Sequence, residues 1–334
     1  MPTIFSQSAL FGALLLAGGL TPATGQAGAL DECARYAADH YQDVTRISGV
    51  ELEDIDVSKA IDACHQAVES APDDPAVLFQ YARSLHAAKR FDEALAWYEK
   101  AAGKGYAPAQ NNVGMMYFNG EGLERNYTLA FKWYEGAAKQ AYPPALYQIG
   151  MMYANGFGVE QDYAEAMKWL QAASDKQYLD ATYQVAMMYY GGLGVPRDKA
   201  TAYNTFAYAG MNAHVDSTYM EAIMLETGDG VEQHCGWAEV ALHAAARGGH
   251  ALAQKRLNDI AAGKAKFCER AVSPADAMAA LLVGLFVYGI IQGGGDGGDS
   301  AAHPQSDNLG SGESVFGAAC AVMTPMEQAL GGCY

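Results

Sequence analysis

The sequence predicts an all-α solenoid of stacked antiparallel helix pairs, and three observations carry that expectation. A 36-residue period runs through 107–142, 143–178, 179–214 and 215–250. Small and apolar side chains fall at helical spacing inside each period. A glycine-rich loop separates the two helical stretches of each unit.

The period is strict. Gly114, Gly150, Ala186 and Ala222 share one site, Met116, Met152, Met188 and Met224 the site two residues on, and Tyr117, Tyr153, Tyr189 and Leu225 the next. Ala94, Ala130, Ala166, Ala202 and Ala238 repeat without drift. The first helix of a unit (about 108–118) brings a small residue, Gly114, to a close helix crossing, with Met116 and Tyr117 as core bulk. The loop Asn119-Gly120-Glu121-Gly122 allows the positive φ that Gly and Asn adopt cheaply. The second helix starts near Asn126, a good N-cap residue, and carries Ala130, Trp133, Ala137 and Ala138 along one face. Such a pair cannot bury both faces alone, so units stack.

At these residues the chain resembles the Sel1-like repeat family, a relative of tetratricopeptide repeats. The family pattern is roughly A-x-x-x-L-G-x-M-Y-x-x-G-x-G-V, then x-x-D, then K-A-x-x-W-Y-x-x-A-A. Ala145–Ala173 meets it closely, Ala109–Ala138 well, and the next two units loosely, with Thr205 in the Trp slot and Leu225 in the Tyr slot. Upstream, Ala60, Ala82 and Ala94 are spaced as in a tetratricopeptide unit, so Pro75–Tyr106 reads as one, with a short loop at 86–90. Residues 61–75 read as the second helix of a still earlier unit whose first helix is 31–41. The resemblance covers about 31–263 and implies a non-catalytic scaffold that binds a protein or peptide. The predicted division is a signal peptide at 1–29, tetratricopeptide-like repeats at 30–106, and four Sel1-like repeats at 107–250. A degenerate repeat start and an apolar helix follow at 251–292, and a Gly-rich linker with a cysteine-containing tail at 293–334.

Six cysteines, Cys33, Cys64, Cys235, Cys268, Cys320 and Cys333, form no C-x-x-C pair, which leaves zinc or redox-motif chemistry little support. Six cysteines permit 15 connectivities; on the helix pairing above, Cys33 with Cys64 would staple the first unit, Cys235 with Cys268 would cap the other end, and Cys320 with Cys333 remains for the tail. The middle repeats hold no cysteine, so the β-lactam binding of the cysteine-rich Sel1 subfamily is not carried over.

The first 29 residues contain no charged side chain. Ala9–Leu20 is apolar but too short to span a bilayer, and Ala27-Gly28-Ala29 offers a cleavage site after Ala29 or Ala27. This reads as a secretory signal, with a periplasmic or secreted product, although no Lys or Arg stands in the first eight residues. A formal net charge of −17 and no basic stripe argue against nucleic acid and against anionic lipid. Ala277–Ile291 is apolar for 15 residues, short of the roughly 20 that a membrane helix needs, and its flanking charges oppose the positive-inside tendency. The segment reads as a buried terminal helix, with a membrane tether for an assembly factor as the alternative.

If the array curves as tetratricopeptide arrays do, the first helices line a concave groove. One column there is Phe79, Asn111, Tyr147, Tyr183 and Tyr219. The next is Arg83, Met115, Met151, Met187 and Ile223, with Phe118 and Tyr190 at the rim. Tyr and Met suit an adaptable protein or peptide groove. Inter-repeat core is the competing reading, favoured for Met116, Met152 and Met188 and evenly balanced for Tyr147, Tyr183 and Tyr219. Enzyme chemistry has one weak foothold, the adjacent His234-Cys235, where a disulfide is the simpler role. The rival reading is a hydrolase carrying the repeats as an appendage. His214 and His250 fall in the slot of Tyr106, Tyr142 and Tyr178, a structural aromatic position. Asp229 belongs to a glycine loop without the alternating acidic ligands of a calcium loop. No cofactor or metal is predicted.

Overall fold

The computed structural model describes residues 23–38 and 52–268. Among them the chain is helical throughout, without a strand. The helices are α1 (Ala23–Ala37), α2 (Val57–Ser70), α3 (Pro75–Ala87), α4 (Phe91–Gly103), α5 (Ala107–Asn119), α6 (Tyr127–Ala138) and α7 (Pro143–Asn155). They continue as α8 (Tyr163–Ser174), α9 (Leu179–Gly191), α10 (Lys199–Met211), α11 (Val215–Thr227), α12 (Cys235–Arg247) and α13 (Ala251–Ala261), with a 3-10 turn at Leu52–Asp54. Each helix packs on the next, α1 with α2, α3 with α4, and so on to α13, as an α-solenoid requires.

Side-chain capping sets the start of the second helix in the four units from 107 to 250. Asn126 accepts from the Leu129 N–H, Asp162 from Ala164 and Glu165, Asp198 from Thr201, and His234 from Trp237. One register position, held by three residue types, thus answers the same orphan donors. The first helices from α5 on stop at Gly120, Gly156, Gly192 and Gly228, all left-handed.

Close approach explains the small residues. A Cβ added to Gly150 would lie 2.6 Å from Leu170 Cγ, and one added to Gly114 2.9 Å from the Tyr134 ring. The facing Ala130, Ala166 and Ala202 are fully buried. Met116, Met152 and Met188 are buried in the spine, so the core reading of those three holds, and Met224 at the same position is buried with them. Each fully buried Met stabilises by roughly 1.5–3 kcal/mol.

Both ends are covalently tied. Cys33–Cys64 joins α1 to α2, and Cys235–Cys268 joins the first residue of α12 to the segment after α13, the two pairings expected. Loops of 31 and 33 residues place each bond in the range of about 3–4 kcal/mol. Cys320 and Cys333 lie outside the described residues, as do 277–291 and 1–22. The first two helices begin earlier than expected, at Ala23 rather than 31 and at Val57 rather than 61. For α2 the reason is visible: the Asp56 side chain accepts from the Lys59 N–H and caps the helix one residue before Val57.

Candidate functional site

The first helix of each unit carries the predicted groove columns, and its burial divides them. Phe79, Arg83, Tyr183, Met187, Tyr190 and Tyr219 are all 5 % exposed or less, and Asn111 is 9 % exposed. Those seven are not the open face that was expected.

Aromatic pairing within each unit gives the reason. Phe79 meets Tyr106 at 5.5 Å between ring centroids, Tyr147 meets Tyr178 at 5.3 Å, Tyr183 meets His214 at 5.3 Å, and Tyr219 stacks on His250 at 4.2 Å. The column is therefore a ladder in which each unit's ring packs on the residue that closes the unit. His214 and His250 also cap α11 and α13, accepting through Nδ1 from the Ser217 and Ala253 N–H groups. Burial pushes the Tyr183 hydroxyl far above its ordinary range and lowers His250, the latter partly offset by Asp216.

The polar members are equally engaged. Arg83 donates through Nη1 to the Ala37 carbonyl at 3.0 Å, tying α3 to the end of α1. Asn111 donates to Asn112, whose own amide donates to the Tyr98 hydroxyl at 3.1 Å. That hydroxyl lies 3.4 Å from His86 Nδ1, and His86 Nε2 lies 3.0 Å from Glu121. Tyr190 donates to Asp229 Oδ2 at 2.5 Å while Lys199 holds Oδ1 at 2.6 Å, so Asp229 fastens the fourth unit's glycine loop to the third unit. Burial first, then Asp229, drives the Tyr190 hydroxyl up.

Met115, Phe118, Tyr147 and Met151 remain half-buried on α5 and α7. Phe118 is braced by Tyr127 at 5.0 Å and Phe157 at 5.6 Å, and those two rings stack on each other. The result is a pre-organised apolar patch with two methionines one period apart. Cys235, the thiol of the adjacent His-Cys pair, is consumed in its disulfide and offers no nucleophile. Among the described residues no group of three His, Cys, Asp or Glu is placed to hold a metal ion, and no helix is long and apolar enough to cross a membrane.

Comparison with family models matches the Sel1 repeat over 107–142, 143–178 and 179–204, and a tetratricopeptide repeat over 52–109. The chain carries Sel1 repeats. A crystal structure of a Sel1 repeat protein from Oxalobacter formigenes superposes with a TM-score of 0.56 at 28 % identity, covering 59 % of this chain and 84 % of that one. A second, c5321, is a protective antigen of uropathogenic Escherichia coli strains with the same repeat fold. It gives 0.53 at 25 % identity over 76 % of this chain, which spans about half of c5321, 52 %. Comparison with curated proteins gave no match. The Sel1 match ends at 204, yet α11 and α12 keep the geometry of a Sel1 unit: Gly228 is left-handed, and Met224 and Ala238 are buried.

Proposed function

We propose that this Sel1-repeat scaffold is exported and holds a protein or peptide along the face of α5 and α7, without catalysis of its own. Sel1 and tetratricopeptide repeats generally mediate protein interaction. The observation that carries the reading is the half-buried set Met115, Phe118, Tyr147 and Met151, on the first helices of two adjacent repeats and packed against one apolar core cluster. Rigid aromatics supply contact area at low entropic cost, and the methionines adapt to the partner's shape.

Site-directed photo-crosslinking in the native host tests it. A probe at Met115 or Met151 is expected to capture the same partner, and a probe at exposed Lys132 on α6 is not. Equal capture from all three positions overturns the assignment. Tyr183→Ala is unsuited to this purpose, since a cavity in the ladder would cost about 3–5 kcal/mol and confound binding with folding.

Export rests on the two disulfides, which form and persist in oxidising compartments, and on the apolar leader with its Ala27-Gly28-Ala29 site. N-terminal sequencing of protein isolated from its host is expected to begin at Leu30 or Gly28. A chain still starting at Met1 removes the exported reading.

A further inference from the structure

The fourth unit departs from the two units before it at three positions, and two of the three, Glu221 and Trp237, line one cleft. Glu221 on α11 stands where Val113, Ile149 and Val185 are buried core. Trp237 on α12 stands at the position of Leu129, Glu165 and Thr201, all half-buried, and Val240 at that of Lys132, Lys168 and Asn204. In the first exchange a carboxylate replaces a core side chain. In the other two, large apolar groups stand where the two preceding units have polar ones, leaving Trp237 62 % and Val240 57 % exposed.

Glu221 and Trp237 line a cleft of about 290 Å³ together with Tyr203 of α10, Leu225 of α11, and Val231, Glu232 and His234 of the loop before α12. The indole of Trp237 and the ring of Tyr203 wall it, Leu225 and Val231 add apolar surface, and Glu221 and Glu232 supply negative charge. Among the described residues no hydrogen bond or ion pair engages the Glu221 carboxylate, and its burial raises the carboxyl above its ordinary range. Its field in turn helps raise the Tyr203 hydroxyl, after burial. Lys199, one turn before Tyr203 on α10, is committed to Asp229. His234 is held in place by its N-cap bond to the Trp237 N–H.

We propose that this cleft takes the cationic side chain of a lysine or arginine from a partner protein, with Glu221 as counter-ion, Trp237 and Tyr203 as aromatic walls, and Val240 as the adjoining apolar contact. A cation over an indole face gains from the ring quadrupole, and a desolvated carboxylate without a partner gains most from one. A chain of net charge −17 favours a basic partner in the same direction. The site is independent of the α5–α7 face and stands or falls separately from it.

The test uses the full chain and simple probes. N-acetyl-lysine methylamide and N-acetyl-arginine methylamide are titrated while the Trp237 indole N–H, assigned through Trp237→Phe, is followed by NMR. N-acetyl-norleucine methylamide, with the same stem but no charge, is the control. A saturable shift is expected with the cationic probes, about tenfold weaker in Glu221→Gln. That variant keeps the shape of the side chain, and circular dichroism confirms its fold. Equal response to the norleucine probe, an undiminished titration in Glu221→Gln, or no saturation with either cation each overturns the proposal. Should Glu221→Gln fail to fold, Trp237→Ala, at a largely exposed position, is expected to abolish saturation of the remaining shifts around the cleft. Retention of those shifts overturns it.

Discussion

Gly194→Ala is expected to lower the midpoint of thermal unfolding by roughly 6–12 °C, equivalent to about 3 kcal/mol. Two effects add. Gly194 has φ +68°, where an L side chain costs about 1–2 kcal/mol. The new Cβ would also sit 2.3 Å from the Tyr163 carbonyl oxygen and 2.8 Å from the Ala164 nitrogen, backbone atoms of the preceding unit that cannot swing aside. The loop would have to lift off α8 and open the seam between units. Gly105→Ala separates the two effects, because Gly105 has φ +82° but nothing within 4 Å of an added Cβ. It is expected to cost about 1 kcal/mol. Equal losses for the two variants in calorimetry would show that the loop contact contributes nothing.

At the other end of the array, Glu226→Ala is expected to cost about 3–5 kcal/mol and to release α13. Glu226 and Arg256 form a buried ion pair between α11 and α13, 5 % and 10 % exposed at their side chains. Removing the carboxylate leaves a guanidinium sealed in the last interface, where its Nε already has no partner. The Cys235–Cys268 bond keeps the segment tethered, so the loss is expected as faster hydrogen exchange across 251–261 rather than dissociation of the chain end. The double variant Glu226→Ala/Arg256→Leu is expected to recover most of the loss, because it removes the orphaned charge. Exchange in α13 as slow in Glu226→Ala as in the parent protein would refute the account.

The fold was legible because a solenoid writes its architecture into a period. Gly114 and Gly150, the Met column, the Ala column and the glycine loops each mark a contact that recurs every 36 residues. Once the register was set, it also placed Cys33 beside Cys64 and Cys235 beside Cys268. The candidate surface was less legible. A tyrosine at one register position serves equally as surface or wedge, and only the side chains that pack around it decide. Tyr183 is sealed by Phe206 and His214, while Met115 and Met151 stay half open. Positive φ at Ala141, Gln177 and Ala213 gave no sign, since those residue types do not announce a left-handed turn. Gly105 and Gly249, one period to either side, hold the same conformation and were the available clue. Glu226 and Arg256 also broke the register legibly, a carboxylate at the position of Phe118 and Tyr190 and a guanidinium at that of Gln184 and Met220. Neither departure, however, reveals that the two meet.

Cys33–Cys64 closes within the first unit and Cys235–Cys268 ties α12 to the segment after α13, which leaves every seam from α3 to α11 without a covalent tie. A block of 36 residues could therefore be excised or duplicated between 107 and 214 with both sulfur bridges intact. The reach of the molecule is in this sense adjustable, a modular ruler with fixed end-stops.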